Sequence, residues 1–337
     1  MEVDKLEPND PRVESLTATV RGKTYHYLLG KPKGPQTGTV VLIHGWPDLS
    51  FSWRYQVPFL LSMNLRVIVP DMLGYGRTDA PQEIEKYSFK STGDDIAELL
   101  GQVCPGEQII LGGHDWGGSF AWRFALWHPE LLKAVFSICT PYNQPLPVYV
   151  SLEQLVERLP NFRYQLRLAG PDAEREIVTP QRIRGLLSGL YGGRGPEGEI
   201  GFTVAEGPIF ENLEKIENSP IVSSEDMDYY VQEYSRNGMR GPLNWYRTRK
   251  VNYEEEVALL KDGPPRIHVP SLFISATRDP ALLPALSAGM DKHFDNLTRA
   301  EVDSHHWAQW GAAEDVNAHI KKFVQSVLQI GPVKSSI

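Results

Sequence analysis

The residues of this chain best suited to chemistry lie in Gly112-Gly113-His114-Asp115-Trp116-Gly117. This stretch follows the short apolar run Gln108-Ile109-Ile110-Leu111. It precedes Ser119 to Leu126, a run with helical character that Pro129 ends. Strand, sharp turn and helix in that order hold one reactive side chain above a sheet on a strained turn. Such an elbow needs small residues two positions either side of the reactive one, and Gly113 and Gly117 occupy those positions. The side chain displayed is then Asp115. A serine there would mean acyl transfer, whereas a carboxylate attacks an alkyl carbon and becomes esterified. Taken alone, Asp115 could be a helix N-cap, a common use of Asp. That reading accounts for neither the paired glycines nor the groups downstream.

A nucleophile on an elbow needs an acid and then a histidine from later loops. Asp279 follows the apolar run Ser271-Leu272-Phe273-Ile274-Ser275, and His306 follows Thr298-Arg299-Ala300-Glu301-Val302. Both fall at strand ends, where α/β folds build their sites. The neighbouring His305 competes with His306, and Asp303, on the histidines' own loop, is a weaker rival acid. His44-Gly45-Trp46-Pro47-Asp48 follows the first core strand. Gly45 permits close backbone approach and Pro47 fixes the turn; a cis Trp46-Pro47 bond is one way to make it. The backbone N–H groups of Trp46 and Trp116 would then form an oxyanion hole.

These loops need a sheet to position them. Thr17 to Val20 and Lys23 to Leu28, joined through Arg21-Gly22, read as a hairpin. Apolar strands follow at Thr39 to Ile43, Arg66 to Val69, Gln108 to Leu111 and Lys133 to Ile138. Between the second and third, Ser91 or Thr92 can cap a helix running through Leu100. The alternation implies a mostly parallel sheet flanked by helices. It breaks between about Asn143 and Lys250, with helical pieces at Ser151 to Arg158 and Ser224 to Tyr234 and a loop at Gly192 to Gly198. It resumes at Ser271 and closes with an amphipathic helix, Glu314 to Leu328. The organisation expected is an α/β core, residues 1–143 and 251–337, interrupted by a helical cap, 144–250.

With 337 residues, 41% hydrophobic and 23% charged, the chain has the balance of a globular protein with a sizeable core. A net charge of −8 argues against nucleic acid or an anionic membrane as a main partner. Cys104 and Cys139 are the only cysteines, too few for a disulfide framework or a cysteine-rich zinc site, and read as buried thiols. The acidic N-terminus, Met1 to Pro8, has no apolar core to serve as a signal peptide, and no run reaches membrane-spanning length. Asn296-Leu297-Thr298 matches a glycosylation sequon, but without a secretion signal it reads as accidental. Ser335-Ser336-Ile337 is a poor echo of a peroxisomal signal. The expected compartment is the cytoplasm, and the expected state a monomer or homodimer.

The motifs together resemble the α/β-hydrolase superfamily and, within it, the soluble epoxide hydrolases of the single-domain microbial and fungal type. The resemblance spans most of the chain. It runs from His44-Gly45-Trp46-Pro47 through Ser52-Trp53-Arg54-Tyr55-Gln56, Asp71 to Gly76, and Gly113 to Gly118, to Asp279 and His306-Trp307. Where the family pattern has Gly-His, this chain carries His305-His306, and the aromatic that follows favours His306. With 337 residues the chain leaves no room for the N-terminal phosphatase domain of the mammalian form. Phe162-Arg163-Tyr164-Gln165-Leu166 and Asn244-Trp245-Tyr246-Arg247 look like the family's two tyrosine segments.

The resemblance implies hydrolysis of a small apolar epoxide by water to a vicinal diol, through an Asp115 ester, with no cofactor or metal. Tyr164 and Tyr246 would hold the epoxide oxygen, and His306, backed by Asp279, would activate water. Most of the chain's 14 tyrosines must simply pack, and Tyr229, Tyr230 and Tyr234 are weaker alternatives to the chosen pair. A haloalkane or haloacid dehalogenase shares the elbow aspartate, with Trp116 available to hold halide. A ligand receptor on the same fold is the alternative without turnover.

Overall fold

The computed structural model describes residues 3–329. Met1 and Glu2 of the acidic N-terminal stretch, and all of Ser335-Ser336-Ile337, lie outside them. The chain opens with an antiparallel hairpin, β1 (Val13–Val20) and β2 (Lys23–Gly30), in which Val20 faces Lys23. Arg21 and Gly22 have φ of 48° and 76°, the left-handed pair that matches the strand twist in a two-residue loop.

Next come β3 (Gly38–Ile43), α1 (Gln56–Ser62), β4 (Leu65–Pro70), α2 (Phe89–Val103), β5 (Ile109–His114), α3 (Trp116–Trp127) and β6 (Leu132–Ile138). These strands are buried along nearly their whole length, as strands covered on both faces must be. A helical stretch follows: α4 (Leu152–Arg158), α5 (Tyr164–Ala169), α6 (Pro171–Glu176) and α7 (Pro180–Leu190), then a short ribbon of β7 (Phe202–Thr203) and β8 (Gly207–Pro208). It continues through α8 (Ser224–Asn237), α9 (Arg240–Asn244) and α10 (Arg249–Glu256). The chain then adds β9 (Ser271–Ala276), β10 (Leu297–Val302), α11 (Ala308–Gly311) and α12 (Ala313–Gln329).

The main sheet has the order β1-β2-β4-β3-β5-β6-β9-β10, parallel from β4 onward. From β3 the chain steps one way along the sheet to β4, and from β5 the other way to β6. Right-handed crossovers in opposite directions put α1 and α3 on opposite faces. The reversal falls between β3 and β5, where the loops leaving the strand ends diverge and open a crevice. Register keeps those ends level. Ile43 pairs with Gly113, so the His44-Gly45-Trp46 and His114-Asp115 loops emerge side by side. Val302 pairs with Ala276, which does the same for the Asp279 and His306 loops.

The helices cover the sheet through stripes spaced three and four residues apart. In α12 these are Val316, Ile320, Phe323, Val324 and Val327, packed towards β9 and β10. Some details differ from the sequence reading; β1, for one, begins at Val13 rather than Thr17. Strand β5 runs three residues past its apolar run, so Gly112, Gly113 and His114 still belong to the sheet. Helix α2 is capped by Ser88, whose Oγ accepts the Ser91 N–H at 3.0 Å. Ser91 and Thr92 lie inside its first turn, because the backbone first leaves helical geometry at Ser88, with ψ of 153°. Among the described residues no helix is long and apolar enough to cross a membrane.

Candidate active site

Asp115 stands between β5 and α3 with φ 54° and ψ −122°, a conformation that costs a non-glycine residue energy. The surroundings hold it there. Thr140 Oγ1, just past β6, donates to the Asp115 carbonyl at 2.7 Å. A Cβ added at Gly113 would lie 2.0 Å from the Gly117 carbonyl oxygen, and one at Gly117 would lie 2.1 Å from that of Ile43. Both neighbours are backbone and cannot swing aside. Gly117→Ala is therefore expected to lose about 3 kcal/mol of stability, read as a lower denaturant midpoint at unchanged slope.

Although Asp115 occupies the N-cap position of α3, its side chain makes no capping hydrogen bond. Its Oδ1 instead accepts the Trp46 backbone N–H at 2.8 Å. Gly45 must be small for this approach, since a Cβ there would sit 2.5 Å from the Asp115 Cβ. The Trp46-Pro47 bond is cis. His44 anchors the loop behind: its Nε2 accepts the Met72 N–H at 2.9 Å and its Nδ1 donates to the Gly45 carbonyl at 2.9 Å. Burial lowers the His44 pKa to about 4, which keeps that ring neutral and the acceptor available.

On the other side of Asp115 is His306, its Nε2 3.5 Å from Asp115 Oδ2 and its Nδ1 2.7 Å from Asp279 Oδ2. Asp279 is pinned through its second oxygen, which accepts from the Ala281 and Leu282 N–H groups at 2.9 and 2.8 Å. The neighbouring His305 is exposed, and its Nδ1 donates to the Arg278 carbonyl at 3.1 Å. Asp303 is 82% exposed and pairs with Arg278, whereas the Asp279 side chain is wholly buried. Of the two candidate pairs, only Asp279 and His306 meet Asp115.

Burial disfavours every charge in this cluster, yet the charges support one another. Burial opposes the His306 cation, but Asp279, helped by Asp115, outweighs it and pushes the pKa up to about 9. Burial also opposes the Asp279 anion, and His306 with the two backbone N–H groups brings its pKa down to about 2. Burial raises Asp115 above its ordinary 3.8, against the pull of His306 and of the Trp46 and Trp116 N–H groups.

Asp115, Trp116, Tyr164 and Tyr246 line one cavity of about 400 Å³, with Phe89, Leu155, Leu159, Phe162 and Leu282 among its apolar walls. Tyr164 is the first residue of α5, and its N–H donates to the Val204 carbonyl at 3.1 Å, which ties it to the turn joining β7 and β8. Tyr246 lies in the 3₁₀ turn Trp245–Arg247, edge-on to Trp46 and Trp116 at centroid distances of 5.3 and 5.1 Å. The two tyrosine rings are 6.2 Å apart. Burial, with the Asp115 charge contributing, raises both phenols, so they stay protonated as donors.

Sequence reasoning missed three supporting groups. Thr140 braces the strained elbow. His114 Nε2 donates to the His306 carbonyl at 2.8 Å and its Nδ1 accepts from Gln309 at 3.1 Å, which locks the base loop to the elbow. Cys139, with φ of 66°, donates its thiol to the same carbonyl at 3.2 Å. His114, Cys139 and His306 bring potential metal-ligand atoms within 4.8 Å of one another. Those of His114 and Cys139 are already committed to the His306 carbonyl, and His306 lies between two carboxylates. The position of His114 inside the elbow motif was the one available signal; Thr140 and Cys139 had none.

An eight-stranded, mostly parallel sheet with an aspartate on the β5 elbow, backed by an acid and a histidine, defines the α/β-hydrolase class. Residues 38–175 match the family model described as alpha/beta hydrolase fold. The chain is 44% identical to Epoxide hydrolase srdG of Neurospora crassa, over 97% of this chain and all of that protein. It is 32% identical to Bifunctional epoxide hydrolase 2 of Rattus norvegicus over 98% of its own length, but spans only 58% of that relative. The structure of potato (Solanum tuberosum) epoxide hydrolase I superposes with a TM-score of 0.78 at 26% identity, covering 93% of this chain and 99% of that one. This chain belongs to the epoxide hydrolase family.

Proposed function

We propose that this chain hydrolyses small apolar epoxides to vicinal diols in two covalent steps. The observation that carries the reading is the pair of neutral phenols, Tyr164 and Tyr246, in the same cavity as Asp115. Asp115 Oδ2 attacks the less hindered or more polarised epoxide carbon and the C–O bond breaks. The epoxide oxygen takes a proton from the phenols and leaves a hydroxyalkyl ester on Asp115. Halide displacement would need no such proton, so the phenols argue for the epoxide.

Esterification also changes the electrostatics. With the Asp115 charge gone, His306 loses one of the anions that raise its pKa, and gives up its proton more readily, which restores the phenol that protonated the epoxide oxygen. The neutral imidazole, oriented by Asp279, takes a proton from water, which attacks the ester carbonyl carbon. The Trp46 and Trp116 amides receive the negative charge that develops on Oδ1. Collapse of that tetrahedral species expels the diol oxygen, which takes the proton of the new Asp115 carboxyl group, and so frees the diol and restores the carboxylate beside the protonated His306. Residues 144–250 act as the cap that supplies both phenols, over the core of 1–143 and 251–337.

The diol oxygen identifies the path. A single turnover in heavy-oxygen water is expected to give mostly unlabelled diol, since the new oxygen comes from Asp115 and the label enters its carboxylate. Full labelling of the diol in that first turnover would mean direct attack by water, and the nucleophile assignment would fall.

A further inference from the structure

Three fully buried tyrosines of the helical stretch do not reach the cavity but grip the loop behind it. Tyr191, which ends α7, donates to the Pro47 carbonyl at 2.6 Å. Tyr234 on α8 donates to the Asp48 carbonyl at 3.1 Å, and Tyr230, one turn earlier, donates to Asp48 Oδ1 at 2.6 Å. That oxygen also accepts the Leu49 N–H at 3.0 Å, so the carboxylate ties the phenol to its own turn. Trp46, whose N–H holds Asp115 Oδ1, is the preceding residue of the same turn. The Tyr191 ring also meets Trp307 edge-on at 4.8 Å, and Trp307 meets His306 in the same way at 4.9 Å.

The geometry points to Tyr191, Tyr230 and Tyr234 as positioning residues, through which the docked cap sets the Trp46 amide of the oxyanion hole. This rests on the two-step epoxide reading above. Rigid peptide geometry supplies the link. Fixing the Pro47 and Asp48 carbonyls fixes the turn, and the turn fixes the direction of the Trp46 N–H. Leaving this to the loop alone would let the donor drift, and displacements near 1 Å in such a site cost up to about 10²-fold in rate.

The two chemical steps respond differently. In ring opening the Asp115 carboxylate loses charge, so a well-aimed Trp46 N–H stabilises the ground state more than the transition state. In ester hydrolysis charge grows on Oδ1, and the same N–H favours the transition state. Loosening the clamp should therefore slow hydrolysis selectively.

The test is rapid mixing of the full chain with a styrene-type epoxide, following alkylation and ester hydrolysis separately. Tyr191→Phe and Tyr234→Phe are each expected to slow hydrolysis about tenfold, leave alkylation within about threefold, and accumulate ester. Tyr229→Phe, on the same helix but with no hydrogen bond to this loop, serves as the control. Two results overturn the proposal: both rates staying at wild-type values while thermal stability falls, or alkylation falling as much as hydrolysis. Failure of the wild-type protein to form ester or diol would refute the epoxide reading instead, and would be seen before any variant is made.

Discussion

His306→Gln should carry out the first half of the reaction and stop. In the proposed mechanism alkylation uses the Asp115 carboxylate and the phenols, and the substitution replaces none of these. Hydrolysis needs a base 3.5 Å from Asp115 with Asp279 behind it. Glutamine can occupy the space but cannot take a proton, so ester hydrolysis should fall by roughly 10³-fold. Intact-mass measurement after brief exposure to a reactive epoxide should show protein heavier by one substrate mass, with the adduct on the peptide bearing Asp115. His305→Gln should keep turning over, because that ring is exposed and bonded to the Arg278 carbonyl. An adduct in the His305 variant alone would mean that the base is assigned one position wrong. No adduct in either variant, with diol still forming, would end the two-step mechanism.

The largest loss of alkylation is expected from the double change Tyr164→Phe with Tyr246→Phe. Ring opening creates an alkoxide, which in the proposed mechanism the two phenols stabilise and protonate. Removing one preorganised donor of this kind costs about 10²-fold, and removing both should approach about 10⁴-fold. Each single variant should retain part of the rate, since one phenol remains. The phenols also gain strength when they are needed: the Asp115 charge that helps raise their pKa values disappears as the ester forms. The fold should persist, because each change removes one oxygen and leaves the ring packing in place. Wild-type alkylation rates in both single variants would mean the wrong tyrosines or the wrong reaction.

Several elements show why part of this site was legible in the sequence. The elbow is a local object. An apolar run, two glycines two residues either side of an aspartate, and a helix are recognisable within a dozen residues, although only Gly113 is kept small by a near neighbour, Gly117, while Gly117 is kept small by the distant Ile43 carbonyl. The order of acid and histidine after the nucleophile follows from the chain direction of a parallel sheet, whose loops all leave at one end. The tyrosine segments could be picked out only by family resemblance, since nothing in the spacing of fourteen tyrosines separates donors from packing rings.

What tertiary structure decided is which of several equivalent groups faces Asp115. His305 and His306 have the same chemistry, and a shift of one residue turns a ring from the site into solvent. Asp303 and Asp279 are both near the histidine loop, yet only the second is buried and held by two backbone donors. Thr140, Cys139 and His114 act through hydrogen bonds to carbonyls far away in sequence, which no local pattern encodes. Tyr191, Tyr230 and Tyr234 meet the Trp46 turn only because the chain between β6 and β9 folds back over the crevice. The sequence by itself determined which residue the turn displays, because the strand, the two glycines and the helix that mark it are neighbours in the chain. The partners of that residue were settled by long-range packing, in which a rotation of one helix face or one loop residue decides what can touch what.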